Sequence, residues 1–373
     1  MKTVIIGGGT GGTVLANKLA DKLRSRLRSG DDEILMVTEG EYHVYQPIFL
    51  YVAFGRKEVQ DGVRRQTELL DDDVRLRVDK VVKIDTDART VRCTEGEDID
   101  YDRLVVATGS EVAPDEVPGL EENGHGFHTS DDAEKLRDEL AELEEGKLVM
   151  SVAGMPHKCP AAPVEFPLIA DDWLSERGRN VEVTYTYPLE SGHAKETVGE
   201  WAIAEMEERG IEAKTGFEVN SVEEDVVVSS DGEEVGYDLL VAIPPHDADG
   251  LVAESDLGEV WIKADKNTLE AKNAEGIYAV GDVADLPTSK AGSAAHYQAT
   301  TVANRLASEA RGETPTATYD GKTMCFLESG TDMATYMEFV YDEEPIMRPP
   351  SKYIHWAKLA YNETYWLTAR GML

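Results

Sequence analysis

The chain has 373 residues, enough for two or three domains with proper cores. Its 73 Asp and Glu against 37 Lys and Arg give a formal net charge of −36, which excludes nucleic acid as a partner. The acids are scattered along the whole length rather than gathered in a tail. That pattern suits a halophile's cytoplasm, where the Debye length shrinks to about 3 Å at 1 M salt and self-repulsion is screened.

The three cysteines, Cys93, Cys159 and Cys325, include no C-x-x-C pair. A structural zinc site and a thioredoxin-type dithiol are therefore not expected, and no metal is assigned. The N-terminus enters a strand directly, so no signal peptide is expected. No apolar run approaches the roughly 20 residues that cross a bilayer.

Lys2 to Ile6 is a short β-branched run and reads as a buried parallel strand. Gly7, Gly9 and Gly12 follow at once in a G-x-G-x-x-G pattern. Leu15, Leu19, Leu23 and Leu27 then recur every fourth residue, so a helix begins at the glycines. A strand, a glycine turn and a helix N-terminus together make a pyrophosphate site. The next strand, Glu33 to Thr38, leads to Glu39, the candidate partner of a ribose hydroxyl. Glu39 lies 27 residues past Gly12 (39 − 12), beyond the usual spacing of about 20, which a longer first helix would absorb.

Tyr42 to Pro47 is aromatic and is expected to lie against a cofactor. Val78 to Asp87, Thr90 to Thr94 and Ile99 to Ala107 read as short strands, with Cys93 a structural cysteine among them. Leu104 to Ala107 runs into Thr108-Gly109, a strand ending in a glycine turn.

The pattern then repeats. Lys147 to Gly154 parallels the opening strand and turn, Val181 to Tyr185 the second strand, and Tyr237 to Pro244 the segment Tyr101 to Thr108. Two tandem Rossmann-like α/β units follow from this self-similarity, with a small C-terminal α+β region after them. The expected division gives residues 1–112 and 246–318 to the cofactor domain. Residues 113–245 form the second unit, and 319–373 the C-terminal region. Gly276 to Asp282 is another strand ending in Gly281-Asp282, followed by a helix from Ala291 to Ala310. Near the C-terminus, Trp356, Leu359, Ala360, Trp366 and Leu367 share roughly one helical face, with Lys352, Lys358 and Arg370 nearby.

Gly7–Gly12, Val106–Gly109 and Gly281-Asp282 resemble the three FAD-contacting motifs of the two-dinucleotide-domain flavoprotein disulfide reductases. The second unit departs from a nicotinamide site. After its first strand the chain reads Ala153-Gly154-Met155-Pro156-His157-Lys158-Cys159-Pro160. Proline removes a donor, and Met155 and His157 put bulk where a pyrophosphate would lie. His157 and Lys158 beside Cys159, at a helix start, would lower the thiol pKa.

Met155 to Phe166 is similar to the redox-cysteine segment of the sulfide:quinone oxidoreductases and the related flavocytochrome c sulfide dehydrogenases. Tyr319 to Cys325 resembles that family's second redox-cysteine segment. The resemblance implies that Cys159 and Cys325 face each other across the flavin as a disulfide or polysulfide bridge. It further implies that Glu165 handles protons and that His193 stands near the sulfide site. Sulfide would leave a persulfide on Cys159, with two electrons passing through FAD to quinone on a side lined by Phe339, Tyr341 and Trp356. Tyr42 to Pro47 offers no cysteine, so FAD is expected to be non-covalent. Trp and basic residues on the C-terminal helix suit the headgroup boundary, so a peripheral seat on the inner face of the cell membrane is expected, with a homo-oligomer left open. A type II NADH:quinone oxidoreductase and a non-catalytic flavin or sulfur-carrier module remain as alternatives.

Overall fold

The computed structural model describes residues 1–248 and 250–372. β1 (Lys2–Ile6), α1 (Thr10–Ser29), β2 (Glu33–Thr38), β3 (Arg75–Val78) and β4 (Arg103–Val106) open a first unit. Its central strands are buried on both faces: Val4, Ile5, Leu104, Val105 and Val106 have no exposed surface. That is why they read as continuous apolar runs rather than alternating ones. The chain then builds a second unit. It consists of α2 (Ser130–Glu142), β5 (Glu145–Val152), α3 (Ala162–Ser175), β6 (Asn180–Tyr187), α4 (Glu196–Arg209), β7 (Glu212–Thr215) and β8 (Leu239–Ile243). It returns to complete the first with β9 (Ile277–Ala279) and α5 (Gly292–Ala310). The two crossings lie side by side, Glu111–Val112 pairing antiparallel with His246–Asp247.

The first sheet runs β9-β4-β1-β2-β3 and the second β7-β6-β5-β8, both parallel. In each, the unit's opening strand sits between neighbours reached in opposite directions. Its carboxyl end is therefore a topological switch point, where such sheets leave a crevice. A three-stranded antiparallel sheet accompanies each unit, at Val81–Asp85, Thr90–Cys93 and Ile99–Asp100 and again at Val219–Val222, Val226–Ser229 and Glu234–Gly236. The tandem α/β architecture expected from the internal repeat is the architecture observed.

The chain ends in an antiparallel sheet, β10 (Thr323–Glu328), β11 (Ala334–Phe339) and β12 (Ile346–Met347), and a helix, α6 (Lys352–Ala369). Ser351 caps α6, its hydroxyl accepting from the Ile354 N–H at 3.2 Å. The buried face of α6 is not the tryptophan and leucine stripe. Trp356 and Leu367 are exposed, whereas His355, Lys358, Tyr365 and Ala369 are buried. With Asn362 these stand three and four residues apart, a helical stripe of mostly polar side chains. Burying them requires partners, and those partners lie at the crevice.

Two glycines allow β1, α1 and β4 to meet. Gly7 has φ +106°, and a Cβ there would lie 2.3 Å from the Ala107 carbonyl oxygen. A Cβ on Gly12 would stand 2.0 Å from the Gly7 carbonyl oxygen, so α1 presses directly on the turn that feeds it. Gly9 differs: a Cβ there meets no protein atom within 4 Å. Gly12→Ala should therefore cost about 1–3 kcal/mol by overpacking. Gly9→Ala, which meets no atom and loses only the N-cap preference for glycine over alanine, should cost less, about 0.5 kcal/mol. Denaturant titration of the two variants checks this, and equal losses would contradict the packing role of Gly12.

Candidate active site

The carboxyl ends of β1, β4 and β9 converge with the start of α3 and the C-terminal region around a cavity of about 340 Å³. The first unit supplies Gly7, Gly9, Thr108, Gly109, Gly281 and Asp282 to its wall. The N-cap of α1 is Gly9, with no side-chain cap, so the first N–H groups of the helix remain available to an anion. The start of α5, at Gly292 and Ser293, also lines the wall and likewise has no side-chain cap. Thr108 Oγ1 is buried there without a hydrogen-bond partner. Asp282 accepts from the Ser110 hydroxyl at 3.2 Å. Burial raises its carboxyl pKa, against the pull of Lys290 and Lys158. An uncapped helix start, an orphaned hydroxyl and a glycine with open space beyond it fit a dinucleotide.

Gly12 and Glu39 stand outside this lining. Gly12 is buried beneath Gly7. Glu39 is exposed one residue past β2, and its carboxylate takes the Lys80 ammonium at 3.1 Å.

Cys159 and Cys325 line the same cavity, although 166 residues (325 − 159) separate them. Cys325 is the third residue of β10. Cys159 sits before α3 at φ +52°, in the left-handed region that non-glycine residues rarely adopt. Its loop is pinned to the first unit, the Cys159 N–H donating to the Lys290 carbonyl at 2.7 Å. All three cysteines are free thiols in this structure, so the expected Cys159–Cys325 bridge is not formed in it, and Cys93 lies outside the cavity lining, buried in the small sheet of the first unit.

The expectation of a lowered thiol pKa at Cys159 is corrected. Burial first, and the nearby Glu165 carboxylate second, push it up to about 11. His157 cannot help, because burial holds it at about 4 and hence neutral. Burial also raises Cys325 strongly.

Glu165 lies in the first turn of α3 and lines the cavity. It forms a buried ion pair with Lys358 of α6 and accepts from the Glu328 N–H at 2.7 Å. Burial raises its pKa against the pull of Lys358. Burial alone would lower Lys358, but Glu165, Tyr51 and Glu328 together hold the ammonium and carry its pKa well upward. Glu328 accepts from the Tyr51 hydroxyl at 2.6 Å and pairs with His355 Nδ1 at 2.9 Å.

His193 does not reach the cavity lining. It is buried against Tyr187, with Nε2 3.2 Å from the Pro160 carbonyl and Nδ1 accepting from the Lys195 N–H at 2.9 Å. It therefore braces the residue after Cys159. Phe339, Tyr341 and Trp356 do not gather there either. Phe339 packs under Lys195, Tyr341 against Tyr319, and Trp356 is exposed. The aromatic wall is instead Tyr45, Phe127, Phe326, Tyr361 and Tyr365. Lys358, Glu328, His355 and Tyr51 were missed in the sequence. The one signal was a lysine at helical spacing from His355, Asn362 and Tyr365.

The fold and this cavity define a flavoprotein of two dinucleotide-binding units. Residues 1–307 match the family model of the pyridine nucleotide-disulphide oxidoreductases, and the chain belongs to that family. The mitochondrial sulfide:quinone oxidoreductase of Mus musculus is 25% identical over 92% of this chain and 79% of its own length. That of Dictyostelium discoideum is 29% identical over 92% and 78%. The X-ray structure of the sulfide:quinone oxidoreductase from Aquifex aeolicus superposes with a TM-score of 0.87 at 22% identity, covering 99% of this chain and 92% of that one.

His43, His157 and His193 are all buried, and burial holds each at about 4, below the ordinary imidazole value of 6.5. In the unfolded chain they take up protons below about 6.5, whereas the folded state refuses them until about 4. Folding stability should therefore fall as pH drops through that window. From pH 7 to 5 the loss should be on the order of 5 kcal/mol for the three together. Denaturant titration in molar salt, which screens the surface acids, measures it; a flat profile would contradict the buried, neutral rings.

Proposed function

We propose that this chain oxidises sulfide and passes the electrons to quinone, using Cys159 and Cys325 as its redox pair. One observation carries the reading: two cysteines distant in sequence line one cavity with the glycine cradle of a dinucleotide. Gly7, Gly9, Gly12, Thr108, Gly109, Gly281 and Asp282 hold FAD without a covalent bond, Gly12 by packing beneath the turn. Glu39 serves the ribose only if its carboxylate leaves Lys80.

Hydrosulfide attacks the bridged pair at Cys159. The bond between the two cysteine sulfurs breaks, a new sulfur–sulfur bond forms on Cys159, and Cys325 leaves as thiolate. Bound FAD supplies the two-electron exchange between the reduced pair and quinone. A buried thiol held at about 11 is a poor resting thiolate, so the pair is best stored oxidised. Glu165, beside Cys159, takes the proton of the new persulfide. His193 holds the Pro160 carbonyl and keeps the Cys159 loop in place.

The second unit supports no nicotinamide site. α1 starts four residues after β1, whereas α3 starts ten residues after β5. The turn after β5 is also filled, since a Cβ on Gly154 would lie 2.5 Å from Pro245. NDH2 from Plasmodium falciparum, solved in complex with NADH, shares the fold at a TM-score of 0.73 and 11% identity.

Among the described residues, no helix is long and apolar enough to cross a membrane. A peripheral seat on the inner membrane face is supported by exposed Tyr353, Trp356 and Leu367 on α6. The net charge of −36 suits a cytoplasm of concentrated salt.

Anaerobic sulfide should bleach the flavin, and NADH should not. Cys159→Ala and Cys325→Ala should each lower quinol formation by roughly 10³-fold or more, with Cys93→Ala as the control that keeps it. Full turnover in Cys159→Ala, or bleaching by NADH alone, would remove the proposal.

A further inference from the structure

The polar stripe of α6 and the acids it meets form a continuous path. Glu165 lines the cavity and pairs with Lys358. Lys358 Nζ is also 3.8 Å from Glu328 Oε1. The other oxygen of Glu328 takes His355 Nδ1 at 2.9 Å. Beyond it, His355 keeps about 9% of its side chain exposed to solvent. Four ionisable groups thus run from the cavity wall to the surface. The Tyr51 hydroxyl holds Glu328 in place from the side at 2.6 Å.

The charges do not balance. Two buried carboxylates face one buried ammonium, which leaves one negative charge where an unpaired ion costs several kcal/mol. One shared proton, on a carboxyl or on His355, removes that cost. A glutamine in place of Glu328 would still accept from Tyr51, so a purely structural link needs no second acid.

The proposed reaction needs such a proton. Hydrosulfide gives up two electrons and one proton as its sulfur joins Cys159. Quinone takes two electrons and two protons. Each turnover therefore draws one further proton from solvent, and at its Glu165 end the cavity wall is formed by buried residues, Ala161, Ala162 and Lys358 among them.

We propose that His355, Glu328, Lys358 and Glu165 form a proton relay that delivers this solvent proton to the cavity. The inference rests on the quinone-reducing reading, and Lys358, Glu328 and His355 enter it as groups that act through Glu165.

The test uses the holoprotein and separates the two readings. Protein reduced beforehand with dithionite is mixed with a short-chain quinone, so sulfide takes no part. His355→Gln should slow quinol formation by about a hundredfold. In His355→Ala, added imidazole should restore much of the rate. The solvent deuterium isotope effect should grow in both variants. Infrared spectra of the resting oxidised holoprotein give a readout without turnover. They should contain a protonated carboxyl band that shifts in D2O and is lost in Glu165→Gln or Glu328→Gln.

Wild-type rates in His355→Gln, or a slow His355→Ala that imidazole leaves slow, would overturn the relay. A wild-type protein that quinone reoxidises but sulfide does not reduce would overturn the sulfide reading and leave the relay standing.

Discussion

The buried ion pair between Glu165 and Lys358 ties the molecule together at its site. Glu165 begins the helix that follows the Cys159 loop, and Lys358 belongs to the last helix of the chain. Their contact brings the C-terminal region over a cavity whose floor is built by residues more than 300 positions earlier. A lysine buried in this way is stable only with its partners present. Removing one partner of such a pair commonly costs 3–5 kcal/mol, because the other charge is left buried. The same pairing fixes β10, since the Glu328 N–H donates to the carboxylate that holds Lys358. Cys325, three residues before Glu328, is thereby held on the cavity wall.

The two units differ at their switch points. The first unit keeps its open switch point, with Gly7 and Gly12 packing strand, turn and helix so closely that no side chain fits. The second unit closes its own. Met155, His157, Tyr187 and His246 occupy that end of the sheet, and Tyr187 and His246 each pack against the His157 ring. The loop freed from phosphate binding carries Cys159 across to the first unit, where Lys290 holds its backbone. The filled turn of the second unit and the placement of Cys159 at the cavity are thus one structural feature.

The strand and glycine pattern made the tandem units legible, because buried parallel strands are apolar throughout and helix starts carry small residues. Cys159, Cys325 and Glu165 could also be picked out from their local segments, and all three line one cavity. Burial was harder to read. The thiol of Cys159 was expected to be low because His157 and Lys158 adjoin it. Adjacent charges count only where water lets them stay charged, and His157 is buried and neutral. The buried face of α6 was not legible for a related reason. Trp356 and Leu367 look like core residues, yet His355, Lys358 and Tyr365 are the buried ones. Their partners, Glu328, Glu165, Thr10 and His43, come from other parts of the chain. No local periodicity reveals a polar stripe whose acceptors lie elsewhere.

The account depends on two sulfurs meeting in one cavity and bonding there when oxidised. Peptide mapping of the mildly oxidised, alkylated protein tests this most directly. The account predicts one peptide pair joined through Cys159 and Cys325, directly or with added sulfur, and Cys93 alkylated as a free thiol once the chain is unfolded. Cys159 and Cys325 both recovered as free thiols, or either one joined to Cys93, would contradict it.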